Sequence, residues 1–168
     1  MHIAVSALAY VAMLLYLFVQ SKSDAKSGMV LKFYNDAALS LSFISYTIFL
    51  AINKLNILEE MKISFMICIA LFLISADFVP KSLKVMQKAD AKAFASIYFS
   101  SFLIFGCQFS LVILLFSMFV ANVLFLFWHH VLIRRKLKLV GNERFPYFPF
   151  ILLGYLICTS VLICKLIM

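Results

Sequence analysis

The sequence predicts an all-α fold: a polytopic transmembrane helical bundle of about six spans, forming one domain over residues 1–168. Hydrophobic residues make up 65% of the chain and charged residues only 13%, and the mean hydropathy is +1.08. Soluble domains are about half apolar. The apolar runs of 17 to 23 residues suit helices that cross about 30 Å of hydrocarbon, whereas barrel strands would alternate over about ten residues.

Six spans follow from the apolar runs taken in order. The predicted spans are residues 3–20, 33–52, 63–79, 93–109, 111–133 and 147–168. The run over 93–133 has 41 residues and would form a helix of roughly 60 Å, about twice the hydrocarbon thickness. We therefore expect it to break near Gly106-Cys107-Gln108. The first run has lysines after it and none before it, so we interpret it as a retained span and not a cleaved signal.

The loop charges predict the orientation. With six spans, one side receives twelve of the fifteen lysines and arginines and the other side three, whereas a single long helix over 93–133 would divide them seven to eight. Lysine and arginine concentrate in cytoplasmic loops. Both termini are then outside the cytoplasm, and a bacterial inner membrane suits such a protein. Flanking basic residues also explain the net charge of +8 without a nucleic-acid partner.

Ionisable residues inside apolar runs are costly, so each is a candidate site residue. Asp36 begins the second span, Asp77 ends the third, and the topology places both at the cytoplasmic edge. Asp36, Ser40, Phe43 and Thr47 share one helical face, which we expect to point into the bundle. The predicted site residues at this level are Asp77, Asp36, Lys32, His129, His130 and Arg134. The alternative is that Asp77 marks a helix end before Pro80, and that the histidines belong to an interfacial belt.

Carboxylates are the candidate chemical groups of this chain. The sequence has no GxSxG elbow, no HExxH motif and no phosphate-binding glycine loop, and its four cysteines have no metal-site spacing. We predict no metal and no cofactor. One protonated and one ionised carboxyl group could catalyse acid hydrolysis of a lipid, or they could relay protons or bind a cation for transport.

The predicted spans carry distinctive residues in a fixed order. Lys32 opens the second span, ISAD ends the third with Ser75 and Asp77, and a Phe-rich fourth span follows. The stretch VLFLFWHHVLIRRKLKLVGNERFPYFPFILLGYL then contains a fifth span, a basic loop and a sixth span. This order of parts resembles the first six helices of the lysoplasmalogenase-like (YhhN) membrane family. The resemblance implies cleavage of the vinyl-ether bond of lysoplasmalogens, with Asp77 and Lys32 matching family residues.

Three departures accompany the resemblance. Ala76 stands where the family has glycine, Gln108 is the best match to a family histidine, and the chain ends at Met168, before two further helices that carry a second acidic motif. The resemblance thus implies a divergent relative lacking the last two helices, in which Asp36 substitutes for the missing acid.

The function predicted from the sequence is hydrolysis of ether lysolipids, with membrane lipids as the partners. Asp77 would be the acid and Asp36 the stabiliser of an oxocarbenium ion, while Lys32 or Arg134 would contact the substrate phosphate. Two alternatives remain: a non-catalytic accessory subunit of a membrane-protein complex, packed through Ser96, Ser100 and other small residues, and a small proton-coupled carrier.

Overall fold

A computed structural model describes residues 2–27, 30–53, 57–75, 87–134 and 147–167. Six helices account for nearly all of them: α1 (His2–Ser27), α2 (Lys32–Ile52), α3 (Ile57–Ser75), α4 (Lys88–Phe105), α5 (Cys107–Arg134) and α6 (Phe148–Ile167). The all-α prediction is confirmed, and the described ranges contain no strand.

The long apolar run over 93–133 is two helices, as predicted. Only Gly106 separates α4 from α5, and its φ of 79° with ψ of 178° is a conformation open chiefly to glycine. Residues 107–109, which the sequence placed in the fourth span, belong to α5 because the helix restarts directly after this glycine. The helices then pack against each other, so the chain folds back at this residue.

Helix α4 is the centre of the bundle. It packs against α1, α2, α3 and α5, and every side chain from residue 90 to 103 except Lys92 is buried. Its aromatic residues meet those of α2: the Tyr46 ring lies 5.1 Å from Phe99 and 4.8 Å from Phe102. The small residues Ser96 and Ser100 lie inside this chain's own core, so the close approach expected of them occurs within the bundle.

The outer helices form two groups around α4. On one side α6 packs between α1 and α5, and the approach to α5 is so close that a Cβ at Gly154 would lie 2.6 Å from the Ser117 backbone oxygen. On the other side α2 and α3 cover α4. Helices α1 and α2 touch only sparsely, which leaves a groove between them.

Large apolar side chains cover the outside of the bundle. Leu41, Phe65, Met66 and Phe119 are each about two-thirds exposed, and similar residues line the outer faces of the first, fifth and sixth helices. By length and composition, two of the described helices could cross a membrane, Lys32–Ile52 and Phe109–Trp128, and a shorter apolar helix covers Phe148–Cys164. The described residues therefore form six helices, two of them long and apolar enough to cross a membrane, and the six-span arrangement stays a prediction.

Candidate functional site

Polar side chains gather at one end of the bundle, which we call the polar end. It lies where α1 ends and where α2, α4 and α6 begin. Asn35 is its central residue: it accepts a hydrogen bond from the Tyr16 hydroxyl and donates one to the Ala89 backbone oxygen, at 3.0 Å. With 2% of its surface exposed, Asn35 joins three helices through one buried amide.

Gln20 fixes the connection between α1 and α2. Its side-chain amide donates to the Leu31 oxygen at 2.9 Å and accepts from the Leu31 N–H at 3.0 Å. Leu31 precedes the first turn of α2 and has no side-chain cap of its own. A buried glutamine therefore satisfies backbone groups that a loop residue would otherwise leave unpaired.

Asp24 holds the start of α6. Its Oδ2 accepts a hydrogen bond from the Phe148 backbone N–H at 3.0 Å, at a helix N-terminus where negative charge is favoured. The adjacent Tyr147 donates its hydroxyl proton to Asn122 Oδ1 at 2.6 Å. These two contacts tie α1, α5 and α6 together at the polar end.

Asp90 lies in the first turn of α4. Its Oδ2 accepts from the Gln87 backbone N–H at 2.8 Å, and the Gln87 side chain completes a reciprocal capping box. Only 5% of Asp90 is exposed, and burial raises its pKa to about 7 despite the Gln87 N–H, with the Asp24 charge adding to the rise. Burial also raises the pKa of Asp24, against the hydrogen bonds from Phe148 and Tyr147. Both residues lie outside the predicted spans.

Asp36 occupies a different environment at the same end of the bundle. It forms an ion pair with Lys92 of α4, and 44% of its side chain is exposed. Lys32 lies one helical turn before it and contributes a second positive charge. A carboxylate held by an ammonium group stays ionised, so this pair presents a fixed negative charge with its counter-ion.

A groove separates α2 from α3. It has a volume of about 330 Å³, and Ser40, Phe43, Phe65 and Phe99 are among its lining residues. Asp36 lies one turn from Ser40 on the same face of α2. Of the predicted face of Asp36, Ser40, Phe43 and Thr47, the middle residues Ser40 and Phe43 line the α2–α3 groove and are exposed, so this part of the face does not point into the bundle core. Helical spacing relates residues of one helix but does not fix which neighbour they meet.

A second groove separates α1 from α2. It has a volume of about 380 Å³, within the roughly 300–1,000 Å³ of small-molecule sites. Small residues line much of it, including Ala9, Ala12, Ala37 and Ala38, and Tyr16 lines it near the polar end. The Tyr16 hydroxyl donates to Asn35, so this end of the groove adjoins the polar end.

The other predicted site residues are Asp77, His129, His130 and Arg134. Asp77 lies outside the described residues. His129 and Arg134 belong to the last turns of α5, and His130 beside them is exposed. Because α5 packs mainly against α4 and α6, the structure does not bring His130 next to Asp36. These site assignments stay predictions.

Sequence reasoning missed Asp24, Asp90 and Lys92. It looked for charges inside apolar runs, whereas Asp24 and Asp90 lie just beyond the runs, in helical turns that other helices cover. One local signal was available: a polar residue followed three positions later by a carboxylate, as in Gln87 and Asp90, is the pattern of a capping box. No local sequence pattern predicts the pairing of Lys92 with Asp36, which is 56 residues away in the chain.

The described residues contain no cluster of three or more His, Cys, Asp or Glu side chains that could hold a metal ion. The cysteines described there, Cys68, Cys158 and Cys164, are free thiols. Among these residues the chemistry therefore rests on carboxyl, hydroxyl and amide groups. Comparisons with protein-family models, with curated proteins and with solved structures found no match to this chain.

Proposed function

We propose that the chain is an integral membrane protein whose six helices all span the bilayer. The exposed apolar side chains around the bundle support this, because soluble proteins rarely expose so large a contiguous apolar surface. The polar end also carries Lys32, Lys88 and Lys92 in the first turns of α2 and α4, which supports the predicted cytoplasmic face. Single cysteines placed from Gly106 to Ser110 test the topology: labelling from outside is expected, and protection from outside would refute six spans.

We propose further that the protein hydrolyses the vinyl-ether bond of single-chain lysolipids. The observation that carries this is the α2–α3 groove, whose apolar wall suits an alkenyl chain and whose α2 face begins one helical turn after Asp36. The groove borders exposed apolar residues such as Phe65, which would let a chain enter sideways from lipid. The resemblance noted in the sequence supports the same substrate class.

The chemistry assigns different tasks to two carboxyl groups. Protonation of the vinyl ether on carbon by Asp77 produces an oxocarbenium ion, which the ionised Asp36 stabilises while water attacks. Attack by water forms a hemiacetal and returns a proton to Asp77, and the hemiacetal then collapses to a fatty aldehyde and the chain-free glycerol phosphodiester. Lys92 keeps Asp36 ionised, and Lys32 one turn away offers a cation for the substrate phosphate. His129, His130 and Arg134 remain proposed headgroup contacts.

An aldehyde-release assay on the purified protein tests this function. The parent protein in lipid nanodiscs is expected to release aldehyde from ether lysolipids, and Asp77→Asn and Asp36→Asn to lose at least about a hundredfold in rate. Glu59→Gln, which changes an exposed acid in the first turn of α3, serves as the matched control and keeps full activity. No turnover by the parent protein would eliminate the hydrolase.

A proton-coupled carrier is the second candidate function, and one observation favours it. Asp24 and Asp90 are buried carboxyl groups near the end of the α1–α2 groove, and carriers use such groups to bind protons. Acidification of liposomes that drives solute uptake in the parent and not in Asp90→Asn would support transport. Uptake unaffected by Asp90→Asn would count against it.

A further inference from the structure

The α1–α2 groove is an apolar groove on the outside of the bundle that the proposed hydrolysis does not use. Ser100 and Leu103 of α4, both more than nine-tenths buried, form its floor, and α1 and α2 form its walls. Leu15, Val19 and Leu41 line it as well, and each is at least 41% exposed. The groove is therefore open along its side to the surroundings of the bundle.

The length of the groove is about half the thickness of a membrane. Its lining extends from Ala9 to Val19 on α1 and from Tyr34 to Ser45 on α2, which at 1.5 Å per residue is about 15 Å along each helix. A bilayer contains roughly 30 Å of hydrocarbon, so the groove matches the depth of one leaflet. The end at Val19 and Tyr34 lies at the polar end, because the neighbouring Gln20 bonds the backbone just before α2.

Two exposed lysines continue the α1 wall of the groove beyond this end. Residues seven positions apart lie on nearly the same face of a helix, and this spacing relates Val19 to Ala12 within the groove and Lys26 to Val19 beyond it. The same spacing places Lys22 in line with Leu15 at the exposed rim. Helix α1 continues past both lysines, whose Cα atoms lie within about 10 Å of Val19 along the helix axis. The groove therefore has an apolar length and a cationic end.

We propose that the α1–α2 groove binds one anionic phospholipid, with an acyl chain along the groove and the headgroup phosphate at Lys22 and Lys26. The inference rests on the proposed membrane-spanning arrangement and is independent of the proposed hydrolysis. Lysine side chains near the end of a membrane helix extend towards the headgroups, and lysines beside the membrane attract the anionic lipids of the cytoplasmic leaflet. The polar end is the predicted cytoplasmic end, so the lysines and this leaflet lie on the same side.

Two tyrosines lie at the level where the acyl chain would meet the headgroup. Tyr16 and Tyr34 line the groove at its polar end; the Tyr16 hydroxyl donates to Asn35, and Tyr34 is 52% exposed. Tyrosine is enriched at membrane–water interfaces because its ring is apolar and its hydroxyl is polar. These residues are consistent with an interface just before the two lysines.

The alternative occupant is a helix of a second copy or of another membrane protein, and the size of the groove disfavours it. A helix about 10 Å across, seated along about 15 Å of the groove, would occupy about 1,200 Å³. The groove has a volume of about 380 Å³, and volumes of roughly 300–1,000 Å³ are typical of small-molecule sites. The two lysines also suit a phosphate group, whereas an apolar helix offers them no anion.

Native mass spectrometry of the full-length protein released from lipid nanodiscs tests the headgroup contact. From nanodiscs with equal amounts of phosphatidylglycerol and phosphatidylcholine, the parent is expected to retain one phosphatidylglycerol per chain. The double substitution Lys22→Gln/Lys26→Gln should lower the retention ratio of phosphatidylglycerol to phosphatidylcholine at least about tenfold, because two attractive charges are lost. Lys62→Gln, which changes an exposed lysine of α3 at the opposite end of the bundle, is the matched control and should keep the ratio.

Filling the groove tests the acyl-chain contact separately. Ala12 is an exposed lining residue, so Ala12→Phe puts a ring into the space of the acyl chain and should abolish retention of the lipid. Val11→Phe adds a ring at the neighbouring exposed position, which does not line the groove, and should retain the lipid as the parent does.

The inference is overturned if the parent retains both lipids equally, if Lys22→Gln/Lys26→Gln keeps the parent's ratio, or if Ala12→Phe retains lipid as Val11→Phe does. It is also overturned if the parent is a dimer without lipid that Ala12→Phe converts to a monomer, because a second copy then occupies the groove. Failure of the membrane-spanning arrangement is a separate result, since it appears in the cysteine labelling from Gly106 to Ser110. A protein that passes the labelling test and shows no lipid preference overturns this inference alone.

Discussion

One exposed aspartate, Asp36, and two buried ones, Asp24 and Asp90, lie at the same end of this bundle. They differ in exposure, in hydrogen-bonding partners and in charge compensation. Asp36 is 44% exposed in its side chain and paired with Lys92, so its charge is compensated and in contact with the surroundings. Asp24 and Asp90 are buried and hold backbone N–H groups at the starts of α6 and α4. The exposed pair is suited to fixed-charge chemistry, whereas the buried pair is suited to gaining and losing a proton.

The largest expected difference between the two groups is in the pH dependence of stability. A raised pKa means that the folded state holds a proton that the unfolded state has released, so the free energy of unfolding falls as pH rises. For Asp90, with a pKa raised from 3.8 to about 7, the loss between about pH 4 and about pH 8 is of order 4 kcal/mol. Unfolding in mixed detergent micelles across this range measures it.

The matched variants separate the two groups. Asp90→Asn should flatten the profile because it removes the titrating group, and Asp36→Asn should keep the slope of the parent. A slope shared by the parent and Asp90→Asn would mean that the buried pair does not control the stability.

A smaller effect is expected from removing the carboxyl group that caps α6. Asp24→Ala leaves the Phe148 N–H without its acceptor, and loss of such a cap costs about 1–2 kcal/mol. Asp24→Asn retains an oxygen at the same place and should be closer to the parent. Thermal unfolding compares the two variants with the parent; equal melting temperatures for Asp24→Ala and the parent would contradict the cap.

The contrast also explains which parts of the molecule the sequence could predict. Apolar periodicity and length predict helices well, and a break near Gly106 could be predicted because one helix over 93–133 would be about twice as long as the hydrocarbon is thick. Asp36 was found because it lies inside an apolar run. Asp24 was missed because hydropathy ends the first span at residue 20, whereas α1 continues to Ser27. Asp90 was missed because hydropathy begins the fourth span at residue 93, whereas α4 begins at Lys88.

Burial of the missed residues depends on contacts between distant segments. Asp24 is buried where the start of α6 reaches it, 124 residues later in the chain. Lys92 meets Asp36 across 56 residues. No pattern within a single helix specifies such neighbours, so a helical wheel could group Asp36 with Ser40 correctly and still assign their common face to the wrong surroundings.

Asn35 should contribute about as much as an ordinary buried hydrogen-bonding group. Asn35→Ala removes the acceptor of Tyr16 and the donor to the Ala89 oxygen, for which we expect a loss of about 1–2 kcal/mol. The control is Asn53→Ala at the far end of α2, where the side chain donates to the Phe49 oxygen of the same helix. Equal effects of the two substitutions on thermal unfolding would show that Asn35 does not join the helices.

The smallest effect on stability is expected where the largest effect on activity is proposed. Asp36→Asn and Lys92→Met break an ion pair that is substantially exposed, and such pairs contribute little because solvent and salt screen them. Both variants should therefore have the same melting temperature as the parent, within the error of the measurement, at low and at high salt. In the aldehyde-release assay both should be impaired, Asp36→Asn because the stabilising charge is gone and Lys92→Met because that charge is no longer held in place. If both variants melt normally and keep full activity, the exposed pair is a surface contact, and the buried pair of Asp24 and Asp90 becomes the remaining acidic centre of the described polar end.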